Sequence, residues 1–86
     1  MSVRVLFLAS LREATGTGEL AVDAADLAGL VSALREALSA EAFEAVTAEN
    51  VRIAHNQTLV PPGADTGGLA LAANDEIAFL PPVTGG

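Results

Sequence analysis

The chain has 86 residues, with 11 Asp and Glu against 4 Arg, a single His, and no Lys, Cys, Trp or Tyr, for a formal charge of -7. Without cysteine there is no disulfide framework and no thiolate nucleophile or metal ligand, and one His cannot form an imidazole cluster. Four scattered Arg argue against a nucleic-acid or anionic-membrane surface, so the charge points to a basic protein partner. The length suits one small domain, and a hydrophobic content of 51% separates the chain from acidic disordered segments. No stretch approaches the roughly 20 apolar residues of a spanning helix. The apolar run over residues 3–9 is short and broken by Arg4, unlike a signal-peptide core. A cytoplasmic, soluble protein is the expectation.

The run Val3-Arg4-Val5-Leu6-Phe7-Leu8-Ala9 reads as a strand with Val3, Val5 and Phe7 on one face and Arg4, Leu6 and Leu8 on the other. Thr15-Gly16-Thr17-Gly18 is turn chemistry, and residues 19–23 read as a returning strand with Leu20 and Val22 inward. Leu27, Leu30, Val31, Leu34 and Leu38 form an apolar stripe at helical spacing, with Asp26 as N-cap. Gly29 lowers helix propensity there and argues for a later start. Residues 40–48 suit a second short helix with Phe43 and Val46 inward. Residues 51–55 read as a strand, Asn56-Gln57 as a turn, and Thr58-Leu59-Val60 as the return. Residues 61–68, rich in Pro and Gly, are a surface loop, Ala73-Asn74-Asp75 is a turn, and Glu76-Ile77-Ala78-Phe79-Leu80 is the last strand. One main helix cannot cover both faces of such a sheet, so an α+β layer with the helix on one face is expected.

The last six residues are Pro81-Pro82-Val83-Thr84-Gly85-Gly86. The prolines end the strand and hold the chain near polyproline II, and the glycines carry no side chain. This divides the chain into a domain over residues 1–80 and an extended tail over 81–86 that reaches on the order of 20 Å. The reactive group of such a tail is the Gly86 carboxylate. The other reading is an ordinary frayed terminus.

The segment from Asp75 through Pro81-Pro82-Val83-Thr84-Gly85-Gly86 resembles the C-terminus of molybdopterin synthase small subunits, the MoaD type of the MoaD/ThiS sulfur-carrier family. Val5-Leu6-Phe7-Leu8-Ala9, Leu11-Arg12-Glu13, Gly16, Leu34-Arg35 and Asn56-Gln57-Thr58-Leu59-Val60 follow the family in order. The loop at 61–68 is longer than is usual there, and His55 stands where an apolar residue is commoner. The resemblance implies a β-grasp, ubiquitin-like fold, a mixed sheet with its first and last strands parallel and adjacent. It also implies that an E1-like adenylating enzyme, using ATP and magnesium, activates the Gly86 carboxylate, and that a sulfur donor protein supplies the sulfur of a thiocarboxylate. The large synthase subunit, in a heterotetramer, would then receive the tail and pass sulfur to cyclic pyranopterin monophosphate. On this reading the chain binds no cofactor or metal itself, and most catalytic side chains belong to the large subunit. Related carriers, for thiazole synthesis, tRNA thiolation or ubiquitin-like conjugation, are the nearest alternative, and an interaction module with an unmodified tail is another. Pro81-Pro82 favours the molybdopterin branch over the thiazole carriers.

The candidate catalytic residues are therefore Gly86 and Gly85, whose lack of Cβ lets reacting groups come close. Leu8, Arg12, Leu59, Leu80, Pro81, Pro82, Val83 and Thr84 are candidates for partner binding. By alternation Leu8, Leu59 and Leu80 oppose Phe7, Val60 and Phe79, so a helix covering the latter leaves an apolar partner surface, unless the register slips by one. Arg12 either meets a partner carboxylate or adenylate phosphate, or is solvated or paired with Glu13. His55 is expected to be a partly packed strand-end residue, and Asp75-Glu76 to be acidic for turn reasons, with no catalytic role.

Overall fold

The structure, a computed structural model, describes residues 2–60 and 68–81. The elements run β1 (Val3–Phe7), α1 (Ser10–Thr15), β2 (Glu19–Val22), α2 (Leu27–Ala37), α3 (Ala40–Val46), β3 (Arg52–His55), β4 (Thr58–Leu59) and β5 (Glu76–Leu80). The strands form one mixed sheet in the order β2-β1-β5-β3-β4. β1 and β5 lie parallel at its centre, with Val5 opposite Ile77 and Phe7 opposite Phe79, and every other pairing is antiparallel. This is the β-grasp arrangement, with the first and last strands adjacent.

One sheet face carries the core. Val3, Val5, Phe7, Ile77 and Phe79 pack with Leu11 of α1, Leu27, Leu30 and Leu34 of α2, and Val46 of α3, all essentially buried. Opposed residues on neighbouring strands point the same way, so register alone carries this set across the two central strands. The Phe7 and Phe79 rings stack with centroids 5.9 Å apart, a geometry worth about 0.5–1.5 kcal/mol beyond area burial. Leu20 and Val22 on β2 are half-buried against the same core, as their alternation predicts.

The helices refine the sequence reading. Despite Gly29, α2 starts at Leu27, immediately after Asp26, whose Oδ1 accepts a hydrogen bond from the Gly29 N–H at 2.8 Å. A Cβ at position 29 would stand 3.1 Å from that oxygen, so glycine there favours the cap that it was expected to weaken. Ser39 caps α3 in the same way through the Ala42 N–H. α3 ends at Val46; Val46 and Ala42 are buried while Phe43 is half-buried, its ring lying under the Arg35 guanidinium at 5.2 Å.

The sequence reading missed α1, which makes three helices among the described residues rather than one main helix and a short companion. β1 stops at Phe7 and the chain turns into α1 through Ala9, at φ 50° and ψ -125°. Only Leu11 of this helix is buried, so six residues display no periodicity to read. Gly16 ends it in the left-handed region at φ 76°, where glycine has no Cβ penalty. Arg12 is thus a helix residue and not a loop residue. Residues 61–67, most of the expected surface loop, and residues 82–86, most of the expected tail, lie outside the described residues.

Candidate functional site

The sheet face away from the helices is laid out by register in two cross-strand rows. Leu6, Ala78, Ala54 and Leu59 form one, running across β1, β5, β3 and β4. One step nearer the tail lie Leu80 and Arg52, opposite each other on β5 and β3. Leu8 joins this second row, because its N–H continues the parallel ladder to the Phe79 carbonyl at 3.2 Å. Leu8 and Leu59 are 40% and 54% exposed, whereas Ala54 and Ala78 are covered. Three strand spacings across the sheet and a two-residue offset along it set the two leucines about 16 Å apart. They are rims of a shallow apolar trough with an alanine floor. Leu80 and Pro81 lie half-buried at its tail-side end.

Below the trough the same face becomes ionic. Arg4 stands 3.6 Å from both Glu19 and Glu76, joining β2, β1 and β5. The apolar portion is therefore confined to the half of the sheet from which the tail leaves.

Arg12 lies beside this region on α1, its side chain laid against the turn between α1 and β2. A Cβ at Gly18 would come within 3.2 Å of Arg12 Nε, so glycine there allows the arginine to lie flat. Ala9, Arg12, Glu13, Gly16, Thr17 and Gly18 surround an open cleft of about 660 Å3. Neither Glu13 nor any other described carboxylate pairs with Arg12.

Of the residues singled out from the sequence, Leu8, Arg12, Leu80 and Pro81 come to the tail-side end of the sheet, while Leu59 lies in the middle row of the same face, on β4. Pro82, Val83, Thr84, Gly85 and Gly86 lie outside the described residues. Sequence reasoning missed Arg52 and the two floor alanines, since their place depends on the β3–β5 register. His55 and Asp75 meet at the opposite end, where Asp75 accepts from the Ala72 N–H, bonds His55 and bonds the Asn56 side chain. That is a structural role, as expected for a turn carboxylate. The Asp75 carboxyl is lowered to about 2, chiefly by the Ala72 N–H, then by His55 and Asn56. Among the described residues no three His, Asp or Glu converge to hold a metal, and no helix is long and apolar enough to cross a membrane.

The sequence matches the ThiS family over residues 5–86. The chain belongs to this family of sulfur carriers. It is 41% identical to the molybdopterin synthase sulfur carrier subunit of Escherichia coli (strain K12) over 87 residues, covering 98% of this chain and 99% of that protein. Among solved structures, a chain of the complex of subunits 1 and 2 of the molybdopterin-converting factor of Helicobacter pylori superimposes with a TM-score of 0.72 at 28% identity, both chains fully covered. The small archaeal modifier protein 1 of Methanosarcina acetivorans superimposes with a TM-score of 0.79 at 26% identity, covering 99% of this chain and 96% of that one. The ThiS-family fold and the β-grasp topology agree.

Proposed function

We propose that this ThiS-family chain is the sulfur-carrying small subunit of a molybdopterin synthase. The observation that carries the reading is 41% identity with a subunit of that name over 98% of this chain and 99% of that one, beside a family match that runs to residue 86. The Helicobacter structure pairs a similar chain with a second subunit, which supports a large-subunit partner. In this reading the Gly86 carboxylate attacks the α-phosphorus of ATP, held with magnesium by an E1-like enzyme, and pyrophosphate leaves. Sulfide-level sulfur (HS⁻) released by a donor protein then attacks the carbonyl carbon of the acyl adenylate, the C–O bond to AMP breaks, AMP departs, and a thiocarboxylate remains.

Docked in the large subunit as part of a heterotetramer, the tail delivers that sulfur to cyclic pyranopterin monophosphate, and hydrolysis returns Gly86 as a carboxylate. Two carriers are consumed for each dithiolene. Catalytic side chains belong mainly to the large subunit, and the reaction belongs to the cytoplasm, where ATP is available. This chain's own contribution is shape. The trough supplies apolar area for docking, while Pro81 and Pro82 restrict the chain beforehand and reduce the entropy lost on insertion. Gly85 and Gly86 pass where a Cβ would not. The absence of Lys and Cys leaves no side-chain amine or thiol on the carrier to intercept the activated carbonyl.

The similarity to an archaeal modifier supports a second reading, conjugation through the same activated carboxylate. Both readings are tested by the intact mass of the chain after incubation with its activating enzyme, ATP and a sulfur source. Replacement of one oxygen by sulfur at Gly86, lost on deleting Gly86 or extending beyond it, is the expected result. Transfer of that sulfur to the pterin precursor by the large subunit separates the first reading from the second. No thiocarboxylate from an enzyme active on another carrier would sink both.

A further inference from the structure

The chain carries 11 acidic residues, yet its four arginines are not distributed among them. Arg4 is bracketed by Glu19 and Glu76, and Arg35 sits over Phe43. Arg12 and Arg52 have no ion pair with any described carboxylate. Both are exposed, and both lie at the end of the sheet where β5 runs into Pro81. Arg12 lies beyond β1 on the β2 side, against Gly18, and Arg52 lies on β3, directly opposite Leu80. The strand carrying the tail thus emerges between two cations that pair with no carboxylate among the described residues, on a molecule of net charge -7.

We propose that Arg52 is a partner-recognition residue, forming with Arg12 a two-sided cationic collar that docks against carboxylates flanking the tail-receiving channel of the large subunit. This rests on the sulfur-carrier reading and adds to it the chemistry of the channel's rim. Reach decides between a carboxylate and a nucleotide phosphate as the anion. Five residues of fully extended chain span at most roughly 17 Å, so a tail drawn into a channel can carry Gly86 that far beyond Pro81. An arginine side chain spans less than half of that, so Arg52 faces the rim while the reacting carbonyl lies deep inside. Its position in the row with Leu8 and Leu80 also sets it at the edge of the apolar trough. A guanidinium there gains a partly desolvated pair and repels a partner that presents a cation. The remaining negative charge steers the approach of a basic partner, and the collar requires acidic residues at one fixed place on it.

The test uses the full-length carrier and the molybdopterin synthase large subunit from the same genome. Binding of wild type, Arg52→Ala and Arg52→Glu is followed by stopped flow at low and high salt, with thermal melting of each variant as the fold control. The expected result is a loss of about tenfold or more in affinity for Arg52→Glu, carried largely by slower association and shrinking at high salt. Reversal of one large-subunit carboxylate to Arg should recover most of that loss. Binding of Arg52→Glu within about twofold of wild type at low salt overturns the proposal, as does a loss that no large-subunit charge reversal recovers. Thiocarboxylation of the wild-type chain, followed by mass, reports on the carrier reading separately, so failure of either is recognisable.

Discussion

His55 Nε2 lies 2.9 Å from Asp75 Oδ2, joining the end of β3 to the turn that launches β5 across 20 residues of sequence. Asn56 completes the junction, with its Oδ1 accepting from the Glu76 N–H at 2.8 Å and its Nδ2 donating to Asp75 Oδ1 at 3.2 Å. This network fixes where β5 begins. It therefore sets the register that presents Leu80 and Pro81 at the other end.

Asp75 should make the fold acid-sensitive. Its carboxyl is lowered from 3.8 to about 2 by the Ala72 N–H, then by His55 and Asn56. A depressed carboxyl adds stability that is complete above its unfolded value and is lost as pH falls through the folded one. The stability gap between wild type and Asp75→Ala should be full at neutral pH and close between pH 3.8 and about 2. Urea midpoints measured for both proteins against pH check this; parallel curves would contradict it.

The β3–β4 turn contains strain that can be removed. Asn56 and Gln57 both have positive φ, 49° and 72°, as a type I′ hairpin requires, and Gln57 lacks the tolerance of Asn or Gly. Gln57→Gly should stabilise the domain by about 0.5–1 kcal/mol. For a domain of this size that raises the melting temperature by roughly 4–8 °C per kcal/mol, readable by calorimetry.

Leu30 and Leu59 should separate fold from surface. Leu30 is fully buried in the core, and Leu30→Ala should cost about 2–5 kcal/mol of stability. Leu59 is 54% exposed on the trough rim, and Leu59→Asp should change stability by about 0.5 kcal/mol or less. The same change should weaken large-subunit binding by about tenfold or more. Denaturation and titration of both variants test the contrast.

Gly16 should be sensitive without being crowded. Nothing lies within 4 Å of a Cβ built there, so only its φ of 76° resists substitution. Gly16→Ala should cost about 1 kcal/mol, and Gly16→Asn less, because Asn tolerates the left-handed region. Comparing the two melting curves isolates backbone strain from packing.

Much of this protein was legible locally. Alternation over residues 3–7 and 76–80, the leucine stripe of α2 with Asp26 before it, and the Asn56-Gln57 turn each encode their structure within a few residues. The residues of the Gly-Gly tail were likewise plain in the sequence. Two things were not. α1 hides because a single buried residue, Leu11, carries no period, and because Ala9 takes a backbone conformation that its side chain does not advertise. The site hides because it is made by pairing: parallel alignment of β1 with β5, and of β3 against it, brings Leu8, Leu80 and Arg52 into one row from positions 28 to 72 residues apart. The sequence by itself determined which residues form strands, caps and tail, since those preferences are local. Only the tertiary structure decided which ones stand beside the tail, because register is set by long-range burial and hydrogen bonding that no short segment contains.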